Sequence, residues 1–263
     1  MLTQHQQTIE SIARTLNTCR SVLFVTGAGV SADSGLPTYR GIGGLYDIDD
    51  TEDGLPIERI LSGSMLRSNP ELTWKYLGQI AEATRGATYN RAHEIIAEIE
   101  RRFPRVWTLT QNVDGFHRQA GAENVIEIHG NLHSLSCTRC DLRLSVDAST
   151  PLELPPCCPD CTTILRPDAV LFGEMLPEAA LDRLRRELET GFGMVFSIGT
   201  SSVFPYIQQP MVQARKLGVP TVEINPGETP VTRFADYVLP LRAADAMEAI
   251  WKAFQYGGSA GPE

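Results

Sequence analysis

No stretch of this chain approaches the roughly 18 uninterrupted apolar residues of a membrane-spanning helix. Positive charge is also scarce. Lys and Arg together number 23 against 32 Asp and Glu, and the formal net charge of −9 argues against a broad nucleic-acid-binding face. The opening residues, MLTQHQQTIESIARTLNTCR, lack the basic start and apolar block of a signal peptide. Ile9, Ile12, Ala13 and Leu16 recur there at helical spacing and predict an amphipathic first helix. The expected location is therefore the cytoplasm, without a membrane partner. Internal repeats and long low-complexity segments are missing too. Cysteine is confined: five of the six fall between Cys137 and Cys161, whereas a secreted disulfide protein of this size spreads them.

What remains is an ordinary globular composition, 42% hydrophobic and 21% charged over 263 residues. That length suits one large domain, or one domain with a small insert. Short apolar runs rich in β-formers recur at Ser21–Thr26, Val106–Thr110, Val125–His129, Met194–Gly199, Thr221–Asn225 and Tyr237–Leu239. Runs apolar on both faces are what buried parallel strands require. Helical stripes lie between several of them: Ala92, Ile95, Ile96 and Ile99; Leu181, Leu184 and Leu188; Ile207, Met211, Ala214 and Leu217. The alternation predicts an α/β fold, a Rossmann-like doubly wound parallel sheet with a small zinc-binding and helical insert domain. The large domain is expected to be discontinuous, over residues 1–41, 91–132 and 166–256. Residues 42–90, with weak helical segments, and 133–165, with the cysteines, are expected to pack together as the small domain. Residues 257–263 read as a disordered tail.

Cys137-x-x-Cys140 and Cys158-x-x-Cys161 are two knuckles separated by 17 residues. That spacing matches a tetrahedral zinc site. Cys157 adjoins the second knuckle, but only Cys158 stands at the two-residue spacing from Cys161. Four sulfur ligands fill the coordination sphere, so the predicted metal is structural, one Zn²⁺.

A glycine-bearing turn, Gly27-Ala28-Gly29, follows the first strand run, as at the start of a dinucleotide-binding fold. Ala32 stands at the third glycine position, and no acidic residue introduces an ordinary second strand, as a hydride-transferring dehydrogenase would have. The chain instead continues as the loop SADSGLPTYRG, where Arg40 offers a cation for phosphate oxygens. Polar residues close other strand runs: Gln111, Asn112 and Asp114; His129-Gly130; Gly199, Thr200 and Ser201; and Asn225. In a doubly wound sheet these ends line the ligand crevice. A histidine there suits a general base, which sets His129 apart from His5, His93 and His133, read as structural, and from His117 on a predicted helix.

In order, GAGVSADSGLPTYRG, TQNVDGFH, IEIHG, the two knuckles, LFGE, GTS and EINP resemble the sirtuins, NAD-dependent protein lysine deacylases, from about Ser21 to Ala243. The resemblance implies that NAD is consumed as a cosubstrate and that acyl-lysine meets it between the two domains. The acyl oxygen would displace nicotinamide, and His129 would act as base on a ribose hydroxyl, giving free lysine and O-acyl-ADP-ribose. It implies phosphate contacts for Gly27, Ala28, Gly29 and Arg40. It places Ala32, Asp33, Pro37, Thr38, Tyr39 and Arg40 on a mobile cofactor loop. Gln111, Asn112 and Asp114 would surround the nicotinamide ribose and amide, with Asn112 also catalytic as orienter of a water or hydroxyl. Gly199, Thr200 and Ser201 would touch phosphate and adenosine, Asn225 the adenine ribose, and Ala243 the adenine. Val170, Leu171, Phe172, Gly173 and Glu174 would pair with the substrate peptide as an added strand.

Asp33 and Tyr39 stand where the family commonly has Glu and Phe, and Leu171 where an aromatic or valine is frequent. The branch that removes acidic acyl groups uses a Tyr-x-x-Arg pair. Anchored on Asn69-Pro70 and Trp74, those positions fall on Leu77 and Ile80, or one residue earlier on Tyr76 and Gln79. Neither register supplies arginine, so acetyl or apolar acyl groups are the expected substrates. A mono-ADP-ribosyltransferase or NAD glycohydrolase on the same scaffold would share the nicotinamide cleavage, but the intact His129-Gly130 and FGE favour deacylation. A monomer is the expected state, with a protein or peptide as its partner.

Overall fold

Ser21–Thr26 form a strand because alternate side chains find apolar cover on opposite sides. Val22 and Phe24 pack into one core, Leu23 and Val25 into a second. This computed structural model describes residues 2–36, 51–83, 85–146 and 152–257. Among them are nine strands: β1 Ser21–Thr26, β2 Arg105–Thr110, β3 Val125–Glu127, β4 Gly130–Cys137, β5 Arg143–Ser145, β6 Leu165–Ala169, β7 Met194–Ile198, β8 Thr221–Ile224 and β9 Tyr237–Leu239. The α-helices are α1 Gln6–Thr18, α2 Ala28–Ser31, α3 Ile57–Ile60, α4 Gly63–Ser68, α5 Pro70–Ala83, α6 Arg91–Arg102, α7 Phe116–Gln119, α8 Glu178–Thr190, α9 Pro205–Lys216 and α10 Ala243–Gly257.

The larger sheet is six-stranded in the order β3-β2-β1-β7-β8-β9, with every pair parallel. One face carries α1, α6 and α10, through Ile12, Ile96 and Trp251 among others, and the opposite face carries α8 and α9. This is the doubly wound sheet that the apolar runs predict. The four periodic residues of α1 are all buried, as are those of α6. The third stripe stops short of its expectation: α9 ends at Lys216, and Leu217 follows it 66% exposed. The strand expected over Val125–His129 ends at Glu127, which leaves His129 between two sheets.

A second sheet, β5-β4-β6, is antiparallel and reaches past both ends of the cysteine-bearing stretch 133–165. Its Leu135 and Leu165 share an apolar cluster with Ile57, Ile60, Leu66, Trp74 and Leu77 from α3, α4 and α5. The Trp74 indole N–H donates to the Leu165 carbonyl at 2.9 Å, a buried bond joining helices to sheet. The helical and cysteine-bearing segments thus bury their apolar faces against each other, which neither does alone. No helix among the described residues is long and apolar enough to cross a membrane.

Candidate active site

The larger sheet reverses its winding between β1 and β7, and Thr26 pairs in register with Ile198, so both strands end at one level. A ligand crevice opens outside the strand ends at such a switch point. The two departing loops touch backbone to backbone, with Gly29 N–H donating to the Gly199 carbonyl at 2.7 Å. A Cβ on Gly29 would lie 2.7 Å from Gly199 Cα, and Gly199 itself has φ +58°. Only glycine at both positions permits this approach.

The sequence-predicted residues gather around that switch. Gly27 precedes α2, which begins with Ala28 and Gly29. Ala32 and Asp33 follow in a 3₁₀ turn. Asp33 receives Arg242 at 3.0 Å on one oxygen and the Ala244 N–H at 3.1 Å on the other, which fastens this loop to α10 beside Ala243. Gln111 donates through its amide to Thr200 Oγ1 at 2.6 Å, and Asn225 to the Thr200 carbonyl at 3.0 Å. Ser201 is exposed next to them. Pro37, Thr38, Tyr39 and Arg40 lie outside the described residues.

Beneath the crevice runs a directed chain of hydrogen bonds. The Asn90 N–H donates to His93 Nδ1 at 3.2 Å, so the proton of that ring sits on Nε2, which meets Ser31 Oγ at 3.4 Å. The Ser31 hydroxyl donates to Asp114 Oδ2 at 2.7 Å, and the Phe116 N–H to Asp114 Oδ1 at 3.0 Å. Asn112 is buried and spends its amide protons on Ser31 Oγ, at 3.1 Å, and on the Gly27 carbonyl, at 3.2 Å. Burial pushes the Asp114 carboxyl above its ordinary value, with the Phe116 and Ser31 bonds opposing.

His129 stands where the chain leaves the larger sheet for the smaller one. The turn is tight: Gly130 has φ +74°, and a Cβ there would fall 1.9 Å from the Asp168 carbonyl oxygen. Glycine after His129 is therefore a geometric requirement of this corner. The imidazole Nδ1 lies 3.0 Å from the Gln111 carbonyl, which only accepts, so Nδ1 carries the proton and Nε2 the lone pair. Burial lowers the His129 pKa, and the Gln111 bond partly offsets it. The ring is thus neutral near pH 7 and available as a base.

The Val170–Glu174 segment leaves β6 alongside His129, whose carbonyl receives the Val170 N–H at 2.8 Å. Phe172 pairs through its backbone with Leu61 and Gly63, so this part of the chain already has a neighbour on one side. Buried Leu171 joins the apolar cluster, and Gly173 adopts φ +78°. Glu174 takes two bonds of 2.8 Å from Arg166 and accepts the Leu171 N–H at 3.0 Å, an arrangement that holds the segment's turn.

The sulfurs of Cys137, Cys140, Cys158 and Cys161 all lie within 4.8 Å of one another. Three of the separations are 3.4, 3.6 and 3.9 Å. Bonds of about 2.3 Å to a tetrahedral zinc require sulfurs about 3.8 Å apart, so the donor set fits the metal. Exposed Cys157 stays outside the cluster, its sulfur directed to the Pro155 carbonyl. Small residues on one side of the crevice, and amide, hydroxyl and carboxylate groups on the other, likewise fit a dinucleotide.

Three residues at the site were not singled out by sequence reasoning. Ser31 lies within the glycine loop but shows no distinguishing spacing. His93 reads as a structural histidine and does cap α6, yet its second nitrogen faces Ser31. Tyr206 lies in the first turn of α9, far along the chain from His129, and its hydroxyl sits 2.7 Å from Nε2.

A doubly wound nucleotide-binding sheet, a histidine at the crevice and a four-cysteine cluster on a second sheet define a zinc-bearing nucleotide-dependent enzyme. The chain belongs to the Sir2 family, whose model matches residues 27–205. It is 49% identical to the NAD-dependent protein deacylase 2 of Pseudomonas aeruginosa, over 92% of this chain and 95% of that one. It is 52% identical to the protein of the same description from Pseudomonas syringae pv. tomato, over 89% and 96%. A solved Sir2 homologue–NAD complex, 36% identical, superposes with a TM-score of 0.82 over 94% of each chain.

Proposed function

We propose that this protein is an NAD-dependent protein lysine deacylase in which His129 is the general base. The supporting observation is a neutral His129 at the crevice whose Nδ1–H is fixed by the Gln111 carbonyl, which leaves Nε2 as the basic nitrogen. When bound, NAD supplies the acyl acceptor: nicotinamide leaves its ribose, and the lysine acyl group ends on ADP-ribose.

The chain's own residues then have separate tasks. Gly27, Ala28, Gly29, Gly199, Thr200 and Ser201 receive the phosphates and adenosine, with Asn225 and Ala243 at the adenine end. Ala32 and Asp33, and Pro37 through Arg40 which follow them in sequence, are assigned to cofactor binding. Gln111, Asn112 and Asp114 position the nicotinamide ribose and amide. His129 takes the proton of a ribose hydroxyl at Nε2. Val170 to Glu174 offer backbone to an extended acyl-lysine peptide. A solved relative in complex with a p53 peptide and NAD+, 28% identical with a TM-score of 0.75, supports a peptide partner. Zinc at Cys137, Cys140, Cys158 and Cys161 holds the smaller sheet. The division into a discontinuous nucleotide domain and a small domain from 42–90 and 133–165 draws support from their shared apolar cluster. Thiolates held for a metal suit a reducing compartment, hence the cytoplasm.

Acetyl and apolar acyl groups are the proposed substrates. Leu77 is buried and Ile80 partly so in the cluster around Trp74. In the alternative register, Tyr76 donates to Asp53 and Gln79 to Glu52. Arg85, the arginine that could reach the acyl pocket in a different register, pairs with Glu82 at 2.6 Å. A buried succinyl carboxylate without a cation costs several kcal/mol. The test is turnover of matched acetyl-, octanoyl- and succinyl-lysine peptides with NAD, followed by mass spectrometry, with His129→Ala as control. Deacylated peptide and O-acyl-ADP-ribose equal to nicotinamide support the reading. Nicotinamide without deacylated peptide transfers it to ADP-ribosyl transfer or NAD hydrolysis. Dominant succinyl turnover overturns the acyl preference alone.

A further inference from the structure

The base in this crevice does not stand open. With Nδ1–H spent on the Gln111 carbonyl, the Nε2 lone pair is the only basic position of the His129 ring, and the Tyr206 hydroxyl donates to it at 2.7 Å. Tyr206 is half-buried, and burial pushes its pKa up to about 12, so it remains a donor across the working pH range. Its ring stacks on Phe204 with centroids 5.5 Å apart and planes 12° apart, and both rings meet the imidazole edge to face at 6.1 Å. The helix beneath is held in place. Ile207, Met211 and Ala214 are buried against the sheet, and Gln208 donates to the Ser202 carbonyl at 2.9 Å. These contacts anchor α9 independently of the Tyr206 hydroxyl.

We propose that Tyr206 is a positioning residue that caps the His129 base in the free enzyme and yields its place to the substrate hydroxyl. The proposal rests on His129 being the base. A ribose hydroxyl approaching Nε2 needs the same lone pair, and the two donors exclude each other. Until exchange, the tyrosine holds the imidazole in one tautomer and plane and keeps water from the basic atom. The exchange trades one O–H···N bond for another, so it discriminates against any ligand that reaches the crevice without a hydroxyl correctly placed. The groups acting on the imidazole are Gln111 from the loop after β2, Tyr206 from α9 and the neighbouring Phe204 ring. No charged side chain among the described residues contributes to its shift.

Tyr206→Phe keeps the stacked ring and removes only the bond. A neutral hydrogen bond of this kind is worth about three- to tenfold in an equilibrium. The expected result is a KM for the acyl-peptide and NAD pair lowered about three- to tenfold with kcat unchanged. The bond favours neutral imidazole, so its loss raises the His129 pKa in the free enzyme. The acid limb of kcat/KM should move up by about half to one pH unit, while that of kcat, which reports the bound complex, stays in place. The second readout needs no turnover: nitrogen-15 NMR titration of His129 in the ligand-free protein, assigned with His129→Ala, should show the same rise in Tyr206→Phe. Tyr206→Leu should share the pH shift, and any additional loss of stability there belongs to the lost stack. Unchanged KM together with an unmoved His129 titration would overturn the proposal. So would a fall in kcat of thirtyfold or more (on the order of 2 kcal/mol) at constant KM, because the hydroxyl would then act in the reaction itself. A wild-type protein that releases no nicotinamide while its His129 titration still responds to Tyr206→Phe would sink the deacylase reading and leave the cap intact.

Discussion

Ser31 Oγ stands 2.7 Å from Asp114 Oδ2, a bond between the glycine loop after β1 and the loop after β2. The same oxygen accepts from Asn112, so one hydroxyl organises two predicted site residues. Ser31→Ala removes both bonds, and the 3.4 Å contact with His93 Nε2, in a buried setting. Asp114, whose carboxyl burial already pushes up, loses an opposing partner. Charge-assisted bonds of this kind are worth about 1.5–3 kcal/mol. The expected outcome is a kcat/KM for NAD reduced by roughly 10- to 100-fold. Steady-state nicotinamide release at varied NAD measures it, and a parameter within twofold of wild type contradicts the role.

The metal prediction turns on two adjacent cysteines. Cys158 sits in the sulfur cluster and Cys157 outside it. Purified wild-type protein should carry one zinc per chain by inductively coupled plasma mass spectrometry. Cys157→Ser should keep it, and Cys158→Ser should lose it along with much of the thermal stability. Structural zinc contributes on the order of 10 kcal/mol to folding its surroundings. Equal zinc content in the two variants would reject the ligand assignment.

Glu174 bears on peptide binding through the shape of its segment. Arg166 donates to it twice at 2.8 Å, and both side chains are largely shielded from water. Glu174→Ala leaves the Leu171 N–H without its acceptor and the guanidinium with only the Pro167 and Ala169 carbonyls. The KM for acyl-peptide should rise about tenfold, a cost typical of one charge-assisted bond. The KM for NAD should hold. Parallel increases in both constants would mean that the change spreads beyond the segment.

Acid stability carries the imprint of His93. Burial lowers its pKa from 6.5 to about 4. The folded state binds fewer protons than the unfolded state between those values, so stability is full above pH 6.5 and falls as the pH drops through that window. The loss amounts to roughly 3 kcal/mol by pH 4. His117, also buried and lowered, adds in the same direction. Urea midpoints measured from pH 7 to 5 should decline, and His93→Gln should flatten the slope, since glutamine retains the helix cap without titrating. An equal slope in both proteins would remove His93 from the account.

Much of this architecture was legible along the chain. Parallel strands buried on both faces read as apolar runs, so the six strands of the larger sheet were visible as elements. Their ends were less so, because His129 continues an apolar run that the backbone leaves at Glu127 in order to turn through Gly130. Leu217 fits the helical period but falls beyond the last turn of α9. The cysteine ligands were readable because the metal fixes their spacing. Tyr206 was not, because nothing in a helix's first turn reports which strand end it will face. Its relation to His129 exists only once α9 packs on the sheet. Ser31 and His93 were hidden for a related reason: a buried polar chain is visible only when its donors and acceptors are assembled.

The contact between Gly29 and Gly199 has a consequence for how such a sequence changes over time. A Cβ on either residue meets the other loop's backbone at 2.7 Å or less, and no flexible side chain there can give way. The two positions form a single heritable unit. A lineage drifting one substitution at a time finds both closed, while neighbouring surface positions remain open to it. Diversification of the crevice must therefore come from residues that face it, Tyr206 among them, while the hinge of the two loops stays fixed.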